Sequence, residues 1–498
     1  MRNQVQLITY VDRLGGSFAG LQQLLAGPLA GLFGGIHLLP FFHPIDGSDA
    51  GFDPIDHTQV DGRLGDWTDV KMLGAGVDLM ADVIVNHVSS QSPQFLDYSA
   101  RGDASPYAGM FLTRERVFPG GASEADLRAV YRPRPGLPFT EVFLQNGEQR
   151  VLWTTFTPQQ IDIDVHHPEG ARYLRRILEQ FAANDIRMVR LDAVGYAIKT
   201  PGTSCFMTPQ TFQFIDEFAA QARALGIEVL VEVHSYYRKQ VEIAARVDWV
   251  YDFALPPLVL QAFAAGEARH LREWIRVRPT NAVTVLDTHD GIGVVDVGAD
   301  ATDRNARPGL VPPADIDHLV ESIHQNSRGQ SREATGAAAS NLDLYQVNCT
   351  YFDALGRDER RYLLARAIQF FLPGVPQVYY VGLLAGVNDM ALLKRTRVGR
   401  DINRHYYTQA EVQAAVHRPV VQDLFALIRL RNEHPAFAGE FTLSQGEPHL
   451  LEMGWRHGAD FAQLFIDLRT ADYRLEYSTA TGPASLRFAS RGPLPFAA

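Results

Sequence analysis

The sequence predicts an α/β protein: a TIM-type (β/α)8 barrel with two inserted subdomains and a C-terminal antiparallel β domain. Three observations predict it. Eight short apolar runs recur along most of the chain, each closing on a polar or turn residue. Helical-looking stretches separate the runs, the order that repeated βα units impose and that a closed parallel sheet satisfies. Past residue 436 the pattern changes to short alternating segments, the period of half-buried antiparallel strands.

Taken in order, the runs begin with VQLITYV (5–11), GIHLLPFF (35–42), VDLMADVIVNH (77–87) and IRMVRLDAV (186–194). They continue with IEVLVEVHS (227–235), VDWVYDFAL (247–255), AVTVLDTHD (282–290) and GVPQVYYVG (374–382). The intervening ARYLRRILEQFAAND repeats Tyr173, Leu174, Ile177 and Phe181 at three- and four-residue steps, the spacing of one helix face. The barrel is therefore assigned to 1–84, 166–290 and 357–436. Two gaps are too long for simple crossovers. Residues 85–165, with the proline-rich YRPRPGLPF, are expected as a subdomain inserted after the third strand, and 291–356 as a loop subdomain after the seventh. Long segments at such positions in a barrel commonly carry function. HLLEMGWRH and FAQLFIDL open the C-terminal β domain, 437–498.

Composition narrows the class. Of 498 residues, 46% are hydrophobic and 21% charged, a globular balance at a length that suits a large barrel with appended domains. A net charge of -11 without a dense Lys/Arg block argues against nucleic acid or an anionic membrane as partner. The two cysteines, Cys205 and Cys349, cannot build a disulfide framework and read as small buried side chains in a reducing compartment. The start, MRNQVQLITYVDRL, lacks the basic-then-apolar order of a secretory signal. No run reaches the roughly 18 apolar residues of a membrane span. The expected location is the cytoplasm.

Barrel active sites gather at the C-terminal ends of the strands. Here the third run ends in Asn86 and His87, and the fourth in Arg190 and Asp192. The fifth carries Glu232 and His234, and the seventh ends in Asp287, His289 and Asp290. Arg190 and Asp192 lie two apart and so share one strand face. A buried opposite-charge pair is weak evidence of stability. The pair is either a structural tie or an aspartate held ionised for chemistry. Carboxylates and histidines converging on one rim suit glycosidic bond cleavage, where one carboxylate meets an oxocarbenium-like centre and one carboxyl protonates the leaving oxygen. On this reading Arg190 favours ionised Asp192, and the apolar VLVEVH around Glu232 keeps a proton on it by desolvation. Spacing leaves retention and inversion both open.

Four segments, DVIVNH (82–87), VRLDAV (189–194), LVEVHS (230–235) and VLDTHD (285–290), resemble the motifs of the α-amylase superfamily of glycoside hydrolases. With PFFHPIDGSDAGFDPIDHTQVD, YRPRPGLPFT, FTPQQIDID, GTSCFMTP, TGAAASNLDLYQVN and GRDINRHYY, the chain more closely resembles the bacterial sucrose phosphorylase family, up to about residue 435. The resemblance implies a sucrose:phosphate α-D-glucosyltransferase that works by retaining double displacement. Asp192 would be the nucleophile, Glu232 the general acid and Asp290 the transition-state stabiliser. By the same residue-by-residue match, Asp49, His87, Arg190, His289 and Arg400 would hold the glucosyl hydroxyls, with Phe52 and Phe156 in the substrate wall. For Phe52, ring contact and simple core packing both stay open. Gln160, Tyr196, His234, Leu342, Asp343 and Gln346 would line the fructose side. Arg134 and Tyr345 would contact phosphate, a role that suits the paired donors of a guanidinium. In the family, the loops carrying Arg134 and Asp343 exchange positions between the two steps.

The resemblance implies sucrose, inorganic phosphate, glucose 1-phosphate and fructose as substrates and products. It implies no cofactor and no metal; Asp46, Asp49, Asp53 and Asp56 read as turn and sugar-contact residues. The family often dimerises, which leaves a homodimer open. The competing readings are phosphorolysis of a related α-glucoside (sucrose 6′-phosphate, glucosylglycerol or glucosylglycerate) and a sucrose hydrolase or transglucosidase. A charged acceptor would call for extra basic residues in loops where SNLDLYQVN instead places Asp343. A catalytically dead barrel is a third reading, disfavoured because the chain keeps all three acids.

Overall fold

The computed structural model describes residues 1–47, 49–132, 136–300, 307–335 and 346–489. The eight apolar runs each contain one strand of a closed parallel barrel. These are β1 Gln6–Thr9, β2 Gly35–Leu38, β3 Asp78–Ile84, β4 Ile186–Asp192, β5 Glu228–Val231, β6 Trp249–Asp252, β7 Ala282–Thr284 and β8 Val375–Tyr379. Consecutive strands are neighbours, and β8 closes on β1 with Gln6 opposite Gln377. The strands are shorter than the runs because the polar residues at each C-terminal end leave the sheet; β5 stops at Val231, just before Glu232.

Helices cover the outside of the barrel for legible reasons. Pro168–Ala183 starts on a proline, whose missing N–H costs nothing in a first turn, after His167 as N-cap. Its Leu174, Ile177 and Phe181 are buried and Tyr173 is half-buried, the face expected from their spacing.

A chain of polar side chains crosses the barrel interior. Gln377 Nε2 donates to Gln6 Oε1 at 2.8 Å, and Tyr251 donates its hydroxyl to Gln377 Oε1 at 3.1 Å while lying 3.2 Å from His37 Nδ1. His37 Nε2 lies 3.0 Å from Asp82 Oδ2, and Asp82 Oδ1 accepts from Arg190 Nη1 at 2.5 Å. All six are buried. A polar network in so dry a place persists only when its members satisfy one another, and the reward is a rigid mount. Arg190 is the end of that mount.

After β3, the strand His87–Ser89 pairs antiparallel with Gln160–Asp162, and a hairpin joins Phe139–Phe143 to Gln149–Trp153. Leu112, Val117, Phe118, Val130 and Trp153 form a separate small core there, completed by Cys205 from the segment after β4. After β7, Ile292–Gly293 pairs antiparallel with Gln346–Val347, and helix Pro313–Asn326 lies between them in sequence. The C-terminal sheet is an antiparallel meander of β9 Glu440–Leu443, β10 Leu450–His457, β11 Asp460–Asp467, β12 Asp472–Thr479 and β13 Gly482–Ser485. It docks on the barrel through Trp455, whose Nε1 donates to Phe371 O at 2.7 Å, and through Arg272, which donates to the carbonyls of Gly446, Glu447 and Leu450. Among the described residues no helix is long and apolar enough to cross a membrane.

Candidate active site

One cavity opens at the C-terminal ends of the strands. Its wall contains Asp49, Phe52, His87, Phe156, Arg190, Asp192, Tyr196, Glu232, His234, His289, Asp290, Gln346 and Arg400. It also contains Ala193, Gly195, Phe206 and Val233, which the sequence reading did not single out. Phe206 stands inside GTSCFMTP, so the signal was present but unassigned. Arg134, Leu342, Asp343 and Tyr345 lie outside the described residues.

Gln160 is placed behind the wall, not in it. It is fully buried, and its Nε2 donates to Asp49 Oδ2 at 3.3 Å and to Phe52 O at 3.4 Å. It therefore holds Asp49 and Phe52 in position. Among the strand-end acids, Asp287 also turns away, bound to Arg366 Nη2 at 2.8 and 2.7 Å.

Asp192 Oδ1 accepts from Arg190 Nη1 at 2.8 Å, as their shared strand face requires. The electrostatics differ from the expectation. Arg190 is not a private counter-ion: Asp82 takes the same nitrogen at 2.5 Å, and its carboxyl falls to about 2 because Arg190 and His37 outweigh burial. Burial, with Glu232 and Asp82 nearby, pushes the Asp192 carboxyl well above its ordinary range against the pull of Arg190.

Glu232 differs too. Its flanking strand residues are apolar, but its carboxylate is not among them. Oε2 accepts from the Ala193 N–H at 3.4 Å, and Oε1 lies 3.9 Å from Arg190 Nη2 and 3.8 Å from His234 Nε2. Ala193 itself is left-handed, with φ 55°, a conformation unfavourable for a residue with a Cβ and found directly beside Asp192.

Asp290 pairs with Arg400 Nη1 at 2.8 Å, and Arg400 foremost, with His234 and Arg190, overcomes burial to hold its carboxyl far below the usual range. His289 is neutral, because burial drives it down to about 3. It stacks on Phe52 at 4.9 Å and 13°, so Phe52 both packs and lines the cavity. His87, likewise lowered by burial, lies with Nε2 2.9 Å from Phe52 O. Tyr196 stands among Phe156, Phe206 and Tyr131, with ring centroids 5.3, 4.7 and 6.2 Å away.

Among the described residues, Glu232, His234 and Asp290 are the set whose ligand atoms come within 4.8 Å of one another. Arg190, Arg400 and His234 already supply the positive charge a metal would bring there, and His234 Nδ1 is engaged by Asp296 at 2.8 Å. The arrangement offers one anionic carboxylate in Asp290, a second carboxyl in Asp192 that burial holds above its ordinary range, Glu232 beside it, and several donors around one cavity. That is equipment for acetal chemistry.

Comparison with known proteins agrees with this chemistry. Residues 30–285 match the family described as alpha amylase, catalytic domain. The chain is similar to sucrose phosphorylase of Agrobacterium vitis, 61% identical over 467 residues, covering 94% of this chain and 95% of that protein. It is also similar to sucrose phosphorylase of Bifidobacterium adolescentis, 56% identical, covering 94% and 92%. Among solved structures, sucrose 6F-phosphate phosphorylase from Thermoanaerobacter thermosaccharolyticum superposes with a TM-score of 0.89 at 38% identity, covering 97% of this chain and 98% of that one.

Proposed function

We propose a reaction for a chain that belongs to the sucrose phosphorylase family, within the α-amylase superfamily: the reversible phosphorolysis of sucrose to α-D-glucose 1-phosphate and D-fructose. In the first step Asp192 attacks the anomeric carbon of the glucosyl unit while Glu232 gives its proton to the glycosidic oxygen. Fructose leaves, and a glucosyl ester remains on Asp192. In the second step a protonated phosphate oxygen attacks the same carbon from the face fructose left, its proton passes to Glu232, the ester bond breaks, and both Asp192 and Glu232 are regenerated. Two inversions amount to retention. Phosphate arrives already anionic, so this step leans less on a general base than hydrolysis would.

The cavity supports these roles. The 2.8 Å contact with Arg190 opposes the burial that disfavours charge on Asp192, and Glu232 stands in the same cavity wall, where it can reach the leaving oxygen. Asp290, ionised against Arg400, is suited to accept hydrogen bonds from sugar hydroxyls as positive charge develops on the ring. Arg134 and Tyr345 are the proposed phosphate contacts, and Asp343, Leu342, Gln346, Tyr196 and His234 the fructose side. The proposed location is the cytoplasm, consistent with two free buried cysteines, and the proposed assembly is a homodimer.

The observation that carries the reading is the convergence of Asp192, Glu232 and Asp290 on one cavity with Arg190, His234 and Arg400 between them. Incubating sucrose with and without phosphate tests it. Glucose 1-phosphate of α configuration, formed only with phosphate, is expected; free glucose at equal rates in both tubes would mark a hydrolase. Turnover of sucrose 6′-phosphate or glucosylglycerol in preference to sucrose would move the assignment to the related phosphorylases.

A further inference from the structure

The steps above leave Asp296, the buried partner of His234, without a task. His234 Nδ1 lies 2.8 Å from Asp296 Oδ2, and Asp296 is fully buried in the turn Val295–Val297. The other carboxylate oxygen accepts from the Ser235 N–H at 3.0 Å and from Gln240 Nε2 at 3.1 Å. The imidazole stacks on Phe253 at 3.9 Å and 15°, which fixes its plane. Gly293 leaves room for the pair: a Cβ there would fall 2.3 Å from Asp296 Oδ2 and 3.0 Å from His234 Nδ1.

The far side of the ring is different. Among the described residues, His234 Nε2 is buried in the cavity wall with no hydrogen-bond partner, 3.8 Å from Glu232 Oε1. The charged groups facing this histidine are Asp296 after β7, Glu232 beyond β5 and Asp290 beyond β7. Burial alone would discharge the ring, but those three carboxylates, Asp296 foremost, push it up to about 9. The cavity therefore contains a cation with an unspent N–H beside the leaving-group acid.

We propose that Asp296 is a positioning residue that keeps His234 cationic with its Nε2–H turned to the acceptor side, where it draws in inorganic phosphate in preference to water. This rests on the phosphorylase reading. Once Glu232 has given up its proton, an incoming anion meets a carboxylate at the acceptor position. An imidazolium 3.8 Å from that carboxylate offsets the repulsion, whereas neutral water gains nothing from it.

Asp296→Asn separates charge from shape. Asparagine can still accept from the Ser235 N–H, and its amide can donate to His234 Nδ1, which fixes the neutral tautomer bearing hydrogen on Nε2. The donor stays and the charge goes. At pH 7 the apparent KM for phosphate should rise about tenfold, the scale of one charge-assisted hydrogen bond. Hydrolysis of sucrose without phosphate, which passes through the same glucosyl-enzyme, should change less than about twofold on the same principle. Measured against wild type at each pH, which cancels phosphate's own titration, the KM ratio should fall toward one as pH climbs through about 9 and the wild-type histidine also discharges. Gly293→Ala, which crowds Asp296, should raise phosphate KM in the same way and serves if the asparagine variant does not fold. A parallel loss of phosphorolysis and hydrolysis, or an unchanged phosphate KM in a wild type that makes glucose 1-phosphate, overturns the role of Asp296. A wild type that makes none overturns the reaction itself.

Discussion

Asp192 accepts from Arg190, two positions before it, at 2.8 Å and precedes a left-handed alanine, Ala193. Asp192→Asn replaces the proposed nucleophilic carboxylate with a neutral amide and should lower sucrose turnover by at least about a thousandfold without unfolding the chain, as steady-state rates and circular dichroism would show. Glu232→Gln should lose about 10²- to 10⁴-fold on sucrose yet retain much of its rate on α-glucosyl fluoride, whose leaving group needs no proton; equal losses on both would contradict the acid role. The Arg190–Asp192 contact was legible because strand side chains alternate with a period of two. Its electrostatics were not. They depend on Asp82, 108 positions away from Arg190, and no local window contains both. Likewise the apolar VLVEVH concealed that Glu232 points past its strand toward Arg190 and His234.

At the scale of elements, the segment after β4 is tied to the first inserted subdomain by a buried ammonium. Lys199 Nζ lies 2.7 Å from Asp162, donates to Asn86 Oδ1 at 2.8 Å and to Tyr196 O, and is almost fully buried. Replacing it with methionine leaves the carboxylate of the fully buried Asp162 with Thr155 as its remaining hydrogen-bond partner among the described residues. Lys199→Met should cost about 3 kcal/mol in denaturant melts. Because Tyr196 lines the cavity, it should also raise KM for sucrose more than it lowers kcat. On the same segment, a Cβ at Gly195 would stand 2.6 Å from the Phe206 ring, so Gly195→Ala should shift that ring and raise KM several-fold, roughly 1 kcal/mol of lost binding. Helix faces and strand runs were legible here because their periods are short. The tie through Lys199 was not, since its partners come from three separate stretches of chain.

The whole molecule is a barrel whose inside is polar at the level that supports the chemistry. Its strands were readable as apolar runs because the outer faces pack under helices, while the Gln6, His37, Asp82, Tyr251 and Gln377 chain became visible only once β1, β2, β3, β6 and β8 were closed into a ring. Asp82 shows what this layer contributes to stability. Its folded pKa of about 2, below an ordinary value of 3.8, favours folding by about 2.5 kcal/mol at neutral pH. That contribution is complete above about pH 4 and is lost as pH falls through about 2, so an acid titration followed by circular dichroism should show Asp82→Asn narrowing the difference between neutral and acid stability. The same layer mounts Arg190, and through it Asp192, the group proposed to become covalently glucosylated. Peptide mapping by mass spectrometry, after Glu232→Gln enzyme is loaded with an activated α-glucosyl donor in the absence of phosphate, tests that most directly. The account predicts one added hexosyl unit on the peptide carrying Asp192, discharged when phosphate is supplied; a hexosyl unit on any other residue, or none while the donor is consumed, would contradict it.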